Sequence, residues 1–273
     1  MELGSRIAEV RKNRGMTQEQ LADRLGVSFQ AVSTWERGEN LPDTGHLAAL
    51  AKALNLSLDS LFADDIHRDW TLESPNFDAG RMYTYVKSKA QAEGLRQTLA
   101  ALPLMREKHT GQVRKGMVDT VPYATHPLTT ACHALAMGLV DDDVLAALLL
   151  HDIVEDTGTR PEELPVSDRV RNAVSLVSYN TYEGKKADIK PAYYANIQKD
   201  PLAALVKCID RCNNLSCMAD GFTRKRMAEY VVETERYILP MIKTIKSVPE
   251  WNSAAWLLKY QMTALLETFK RLV

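Results

Sequence analysis

Strand signals are almost absent from this sequence. Alternation of apolar and polar residues is rare, while apolar residues recur at helical spacing nearly throughout, which excludes a sheet-built architecture. No apolar run approaches the roughly 20 residues that a membrane span needs. The opening stretch MELGSRIAEV also lacks the apolar segment of a signal peptide, so no membrane association is expected. Net charge is small, at −1, and a general affinity for nucleic acid or for a lipid surface is thereby excluded. Any such binding must come from a local patch. Cysteine is scarce: there are four, and Cys208, Cys212 and Cys217 fall at near-helical spacing. That is no disulfide framework. It reads as small buried hydrophobes in a reduced, cytoplasmic protein, with metal ligation by Cys208 and Cys212 as the alternative.

The chain is 45% hydrophobic and 25% charged, the composition of a globular protein with a real core. The expected fold class is all-α, with residues 1–62 as one domain, 63–80 as a linker and 81–273 as a larger domain. Residues 1–62 read as five short helices. Thr17 with Gln20 makes a capping box before EQLADRL, Gly26 stops that helix, and Ser28, Asp43 and Ser57 open the next three. The linker ADDIHRDWTLESPNFDAG loses helical periodicity and contains Pro75 and Gly80. Beyond it, helices are expected at 81–109, 125–138, 142–156, 168–179, 190–199, 201–219, 223–246 and 250–272. Asp141 caps the third of these, and Asp200 with Pro201 starts the sixth.

Within residues 1–62 the order Thr17-Gln18, Leu21-Ala22, Gly26-Val27, Trp35-Glu36 and Gly38 resembles the helix-turn-helix domains of the lambda-repressor/Cro-like family. The resemblance implies that the second helix of the motif enters the DNA major groove, presenting Ser28, Phe29, Gln30, Ser33 and Thr34 to base edges. Gln30 is suited to adenine and Phe29 to a thymine methyl, while Gln18 and Arg37 are placed for phosphate. Residues 1–62 hold seven Lys/Arg against eight Asp/Glu, a weak electrostatic footprint. Single modules of this kind bind weakly, so the DNA reading carries a homodimer with it. The alternative is a retained fold used for protein contact.

The segment LAALLLHDIVEDTG runs from an apolar helix into His151, Asp152, Glu155 and Asp156. On a continuous helix, turning about 100° per residue, these four share one side. Burying such carboxylates together is costly unless a cation holds them. Partner ligands are then expected elsewhere. His126 stands at a helix start before Pro127, with His133 as its competitor, and Asp210 lies inside the helix ALVKCIDRCNNLS, where the simple alternative is an ion pair with Lys207. Two histidines and two aspartates suit Mn²⁺, Fe²⁺ or Zn²⁺, whose chemistry is the activation of water as a nucleophile.

His126, His151-Asp152 and Asp210 follow the H…HD…D order of the HD phosphohydrolase superfamily. Their surroundings, HTGQVRKGMVDTVPYATHPLTTA, AALLLHDIVEDTG and VKCIDRCNNLS, resemble the alarmone hydrolases of the RelA/SpoT-homologue group over residues 90–245. The resemblance implies an all-helical enzyme that removes the 3′-pyrophosphate of (p)ppGpp with Mn²⁺. By motif position, His126, His151, Asp152 and Asp210 would hold the metal and Glu155 and Asp156 would orient or deprotonate the water. Arg114, Lys115 and Asn214 would contact the nucleotide. Tyr123 would line the pocket or serve as a core tyrosine. The chain departs from the pattern at Gly116, in the longer MVDTVPY loop, in SLVSYNTYEGKK and at Cys217, so the recognition surface differs more than the metal chemistry. Tyr179, Tyr182, Lys185, Lys186, Tyr193 and Tyr194 are expected either around phosphates or in a solvated loop. Two other functions stay open: a regulator whose HD domain senses a nucleotide without turnover, and hydrolysis of another nucleotide.

Overall fold

Two hydrophobic cores form in two compact units, Met1–Thr71 and Leu72–Val273. The computed structural model describes residues 3–54, 61, 78–114 and 121–272. The fifth short helix opened by Ser57, most of the expected linker, and Lys115 with Gly116 lie outside the described residues.

The first unit contains α1 (Leu3–Asn13), α2 (Gln18–Leu25), α3 (Phe29–Glu36) and α4 (Thr44–Ala53). Local chemistry sets each boundary. Thr17 and Gln20 exchange side-chain and backbone bonds in the expected capping box, Ser28 caps α3, and Asp43 caps α4. Gly26 ends α2 at φ 66°, a left-handed conformation that glycine adopts without cost. Ile7, Leu21, Val32, Trp35 and Leu50 fill the core. One ion pair ties the unit together: the Arg11 guanidinium, 7% exposed, meets both carboxylate oxygens of Glu36 at 2.6 and 2.9 Å and donates to the Met16 carbonyl.

The second unit contains α5 (Ala79–Glu93), α6 (Arg96–Lys108), α7 (Thr125–Ala136), α8 (Asp142–Leu150), α9 (Ile153–Thr157), α10 (Asp168–Val177), α11 (Lys186–Ile197), α12 (Pro201–Cys217), α13 (Arg224–Glu233), α14 (Met241–Ile245) and α15 (Asn252–Lys270). Helix α8 is its axis. Every residue from Val144 to Leu150 is buried, against α6, α7, α10 and α12. A single antiparallel bridge, Val113 to Pro122, is the sole extended pairing among the described residues.

Several expected helices are broken, each for a physical reason. The helix expected over 81–109 divides at Gly94, φ 68°. The Leu95 side chain does not cap the α6 N-terminus; the Asp142 carboxylate does, accepting from the Gln97 and Thr98 N–H groups at 2.9 and 2.8 Å. The helix expected over 190–199 begins earlier, at Lys186, with Pro191 inside it. That expected over 223–246 passes through a π-helical turn, Thr234–Ile238, and restarts after Pro240. The helix expected over 142–156 stops at Leu150 and resumes at Ile153. His151 and Asp152 therefore occupy a junction, not a helix face.

Candidate active site

That junction delivers the chemistry. The His151 ring turns back on α8 and its Nδ1–H donates to the Leu148 carbonyl at 2.7 Å, taking up one of the acceptors a helix end leaves open. His126, in the first turn of α7, donates Nδ1–H to the Asn213 side-chain oxygen at 2.7 Å. Both rings thus present bare Nε2 atoms inward, 3.2 Å apart. Asp152 Oδ2 lies 3.1 Å from His151 Nε2 and 3.5 Å from His126 Nε2. Asp210 Oδ1, from α12, lies 3.2 Å from His126 Nε2 and 3.8 Å from His151 Nε2. His126 and His151 are 3% exposed and Asp210 5%.

Two lone pairs and two carboxylates pointed at one another make an unstable cluster without positive charge. A proton can satisfy one of these contacts, whereas a divalent cation can take several of these atoms at once. His126, His151 and Asp152 offer atoms within 4.8 Å of one another, a spacing that fits a metal ion, and the donor set is the borderline-hard one that Mn²⁺, Fe²⁺ or Zn²⁺ accepts. The outward Nδ1 bonds are the supports that usually orient metal-ligating histidines.

Asp210 makes the ion pair with Lys207 and also faces the histidines. Its Oδ2 pairs with Lys207 Nζ at 2.9 Å, while its Oδ1 faces the histidines and also accepts from Asn214 Nδ2 at 2.5 Å. Burial would discharge Lys207, yet the neighbouring Asp210 carboxylate holds its pKa well above the ordinary value. Arg114 donates to Asn214 Oδ1 at 2.8 Å, so arginine, asparagine and aspartate form one chain into the cluster. Glu155 and Asp156 do not join the cluster. Glu155 accepts from the Tyr179 N–H at 3.1 Å, and both stand on the wall of the adjoining cleft. They stand on α9, beyond the helix break that follows Leu150.

The cleft encloses 860 Å³, enough for a nucleotide. His126, Asp152 and Asp210 border it on one side and Lys190, Arg211 and Arg226 on another. His133 is elsewhere, bonded to Gln261 at 3.0 Å. Tyr193 is fully buried and stacks on Tyr179, so it belongs to the core; Tyr182 donates to the Leu176 carbonyl, and Lys185 is exposed outside the cleft lining. Tyr179 and Tyr194 do line the cleft.

Comparison with known proteins places each unit in a family. The chain is 37% identical over 143 residues to the guanosine-3′,5′-bis(diphosphate) 3′-pyrophosphohydrolase MESH1 of Xenopus tropicalis, covering 48% of this chain and 77% of that protein. It is 34% identical to human MESH1, covering 49% of this chain and 78% of the relative. The chain belongs to this pyrophosphohydrolase family. Its hydrolase unit is the HD type, and the H…HD…D residues are those of the cluster. Residues 7–61 match the helix-turn-helix family. The chain is also 34% identical over 65 residues to the HTH-type transcriptional activator BcrR of Enterococcus faecalis, covering 24% of this chain and 32% of that protein.

Sequence reading missed several groups in the hydrolase unit. Asn213 is the acceptor that fixes the His126 tautomer, and its place directly before Asn214 was the available signal. Glu233 binds Arg211, Lys190 and the Tyr194 hydroxyl. Its carboxyl is opposed by burial but drawn down to about 2 by Arg211 and these bonds. Nothing in the local pattern marks it, since its partners come from two other helices.

On the helix-turn-helix unit, Phe29 is 43% exposed, and Ser28 and Gln30 are exposed at the start of α3. Ser33 accepts from Arg37, which also pairs with Glu39, and the Thr34 hydroxyl donates to the Ala31 carbonyl. Gln18 donates to Glu36 at 2.7 Å.

Proposed function

We propose that the second unit removes the 3′-pyrophosphate of a guanosine 3′,5′-bis(diphosphate)-type nucleotide, using a divalent cation, Mn²⁺ in the first instance. His126, His151, Asp152 and Asp210 would hold the ion. The observation that carries the reading is the pair of bare Nε2 atoms, 3.2 Å apart, facing two carboxylates beside a cleft. When bound, the cation supplies Lewis acidity to the phosphoryl group and lowers the pKa of water. Glu155, anchored by the Tyr179 N–H, and Asp156 orient the attacking water and receive its proton. Arg114, and with it Lys115 and Asn214, holds the nucleotide. The water oxygen bonds to the phosphorus on O3′ and the O3′–P bond breaks, leaving a protonated 3′-hydroxyl and free pyrophosphate.

We further propose that residues 1–62 bind DNA through Gln18, Ser28, Phe29, Gln30, Ser33, Thr34 and Arg37, with two heads brought together in a cytoplasmic homodimer. The match to the helix-turn-helix family supports this reading. No helix of the described residues is long and apolar enough to cross a membrane.

Asp152→Ala tests the ligand set. The variant is expected to lose both bound Mn²⁺ and hydrolysis while its circular dichroism stays helical. Unchanged metal stoichiometry in that variant would overturn the assignment.

A further inference from the structure

Tyr123 stands behind the metal cluster in a way that neither the family match nor the ligand set explains. Its hydroxyl donates to Asp152 Oδ2 at 2.6 Å, the oxygen that faces both histidines. At that distance from a carboxylate oxygen, which can only accept, the phenol hydroxyl is the donor. The ring is held from behind. His109, 2% exposed, stacks on it with centroids 4.7 Å apart, and His109 Nδ1 is bonded to Gln112 Oε1 at 2.8 Å. The backbone is fixed as well: Tyr123 N–H donates to the Gln112 carbonyl and Arg114 N–H to the Val121 carbonyl, both at 2.9 Å, on either side of the Val113–Pro122 bridge.

One short bridge therefore carries two arms. Arg114 reaches Asp210 through Asn214, and Tyr123 reaches Asp152 directly. We infer that Tyr123 is a positioning residue for the metal centre: with its ring clamped by His109 and the bridge, its hydroxyl holds the Asp152 carboxylate in the orientation that ligates the cation. Without this donor Asp152, whose side chain is 26% exposed, keeps only its contacts with the two histidines to fix its orientation. The inference rests on the proposed metal site, but it does not depend on which nucleotide is hydrolysed.

The test is Mn²⁺ titration of the full chain, without nucleotide, for wild type and Tyr123→Phe. Phenylalanine keeps the stack on His109 and removes only the donor. The expected result is a Kd weaker by about 10- to 100-fold, as for other outer supports of metal ligands, with an unchanged Tm of the metal-free protein. Turnover should fall at limiting Mn²⁺, recover at saturating Mn²⁺, and show an unchanged KM for nucleotide. An unchanged Mn²⁺ Kd in Tyr123→Phe would overturn the inference, and a lowered Tm with unchanged Kd would make Tyr123 a core residue instead. In an Asp152→Asn background, Tyr123→Phe should add no comparable shift; the full shift there would place its action elsewhere and overturn the inference too. Wild type that binds no Mn²⁺ defeats the metal reading itself, a failure distinct from an unchanged Kd in the variant.

Discussion

At the scale of single residues, the site is a set of side chains with one atom turned into the cluster and another bonded to the fold. His151 gives Nδ1 to the end of α8 and His126 gives Nδ1 to Asn213, which turns Nε2 inward in both cases and underlies the proposed metal site. Asp210 divides in the same way between Lys207 and the histidines. What was legible in the sequence is the set of residues brought together: His126, His151-Asp152 and Asp210 are recognisable as types in order before any contact is known. Asn213, Glu233 and the donor role of Tyr123 were not, because each acts on a residue distant in the chain. Arg114 marks the boundary between the two groups, being readable as a cation but not as the partner of Asn214. Arg114→Ala removes a charge-assisted contact worth about 1.5–3 kcal/mol. We expect kcat/KM to fall roughly 10- to 100-fold, chiefly through KM, with the Mn²⁺ Kd little changed because Asn214 still reaches Asp210. Steady-state kinetics on the two proteins reads this directly, and an unaltered KM would remove Arg114 from the binding surface.

At the scale of elements, cap residues were the most reliable guides. Thr17, Ser28, Asp43, Asp141 and Asp200 each accept the backbone N–H that a helix start leaves unpaired. Helix interruptions were the least legible. Continuous apolar periodicity concealed the break at Leu150, whose carbonyl-capping histidine is itself a site residue, and the π-helical turn after Glu233. The break leaves His151 and Asp152 between two helices and carries Glu155 and Asp156 on the second of them, so that the proposed metal ligands and water-handling groups fall on different elements. In the first unit, Gly4 shows how closely two elements meet. A Cβ there would lie 2.2 Å from the Trp35 carbonyl oxygen at the end of α3. Backbone cannot yield as a flexible side chain can, so Gly4→Ala should cost about 1–3 kcal/mol or more in that unit. Hydrogen exchange should show faster exchange across residues 3–54 and unchanged protection in α8. Equal protection of both units in the variant would contradict the packing described.

At the scale of the whole molecule, a helix-turn-helix unit and a member of the pyrophosphohydrolase family share one chain, each with its own core. The all-α class follows from pervasive helical periodicity and scarce strand signals, and the near-neutral charge fits DNA contact confined to a small face rather than spread over the surface. What composition could not convey is the cleft, which forms only when the Arg114 bridge, α9, α11, α12 and α13 come together around one space. The central claim is that this cleft and its four-ligand cluster hydrolyse a 3′-pyrophosphate. Incubation of the purified full chain with Mn²⁺ and ppGpp, with the products resolved chromatographically, tests it most directly. The account predicts GDP and pyrophosphate in equal amounts, abolished by chelation of the metal. Intact ppGpp after prolonged incubation with Mn²⁺, or release of single phosphates instead of pyrophosphate, would contradict it.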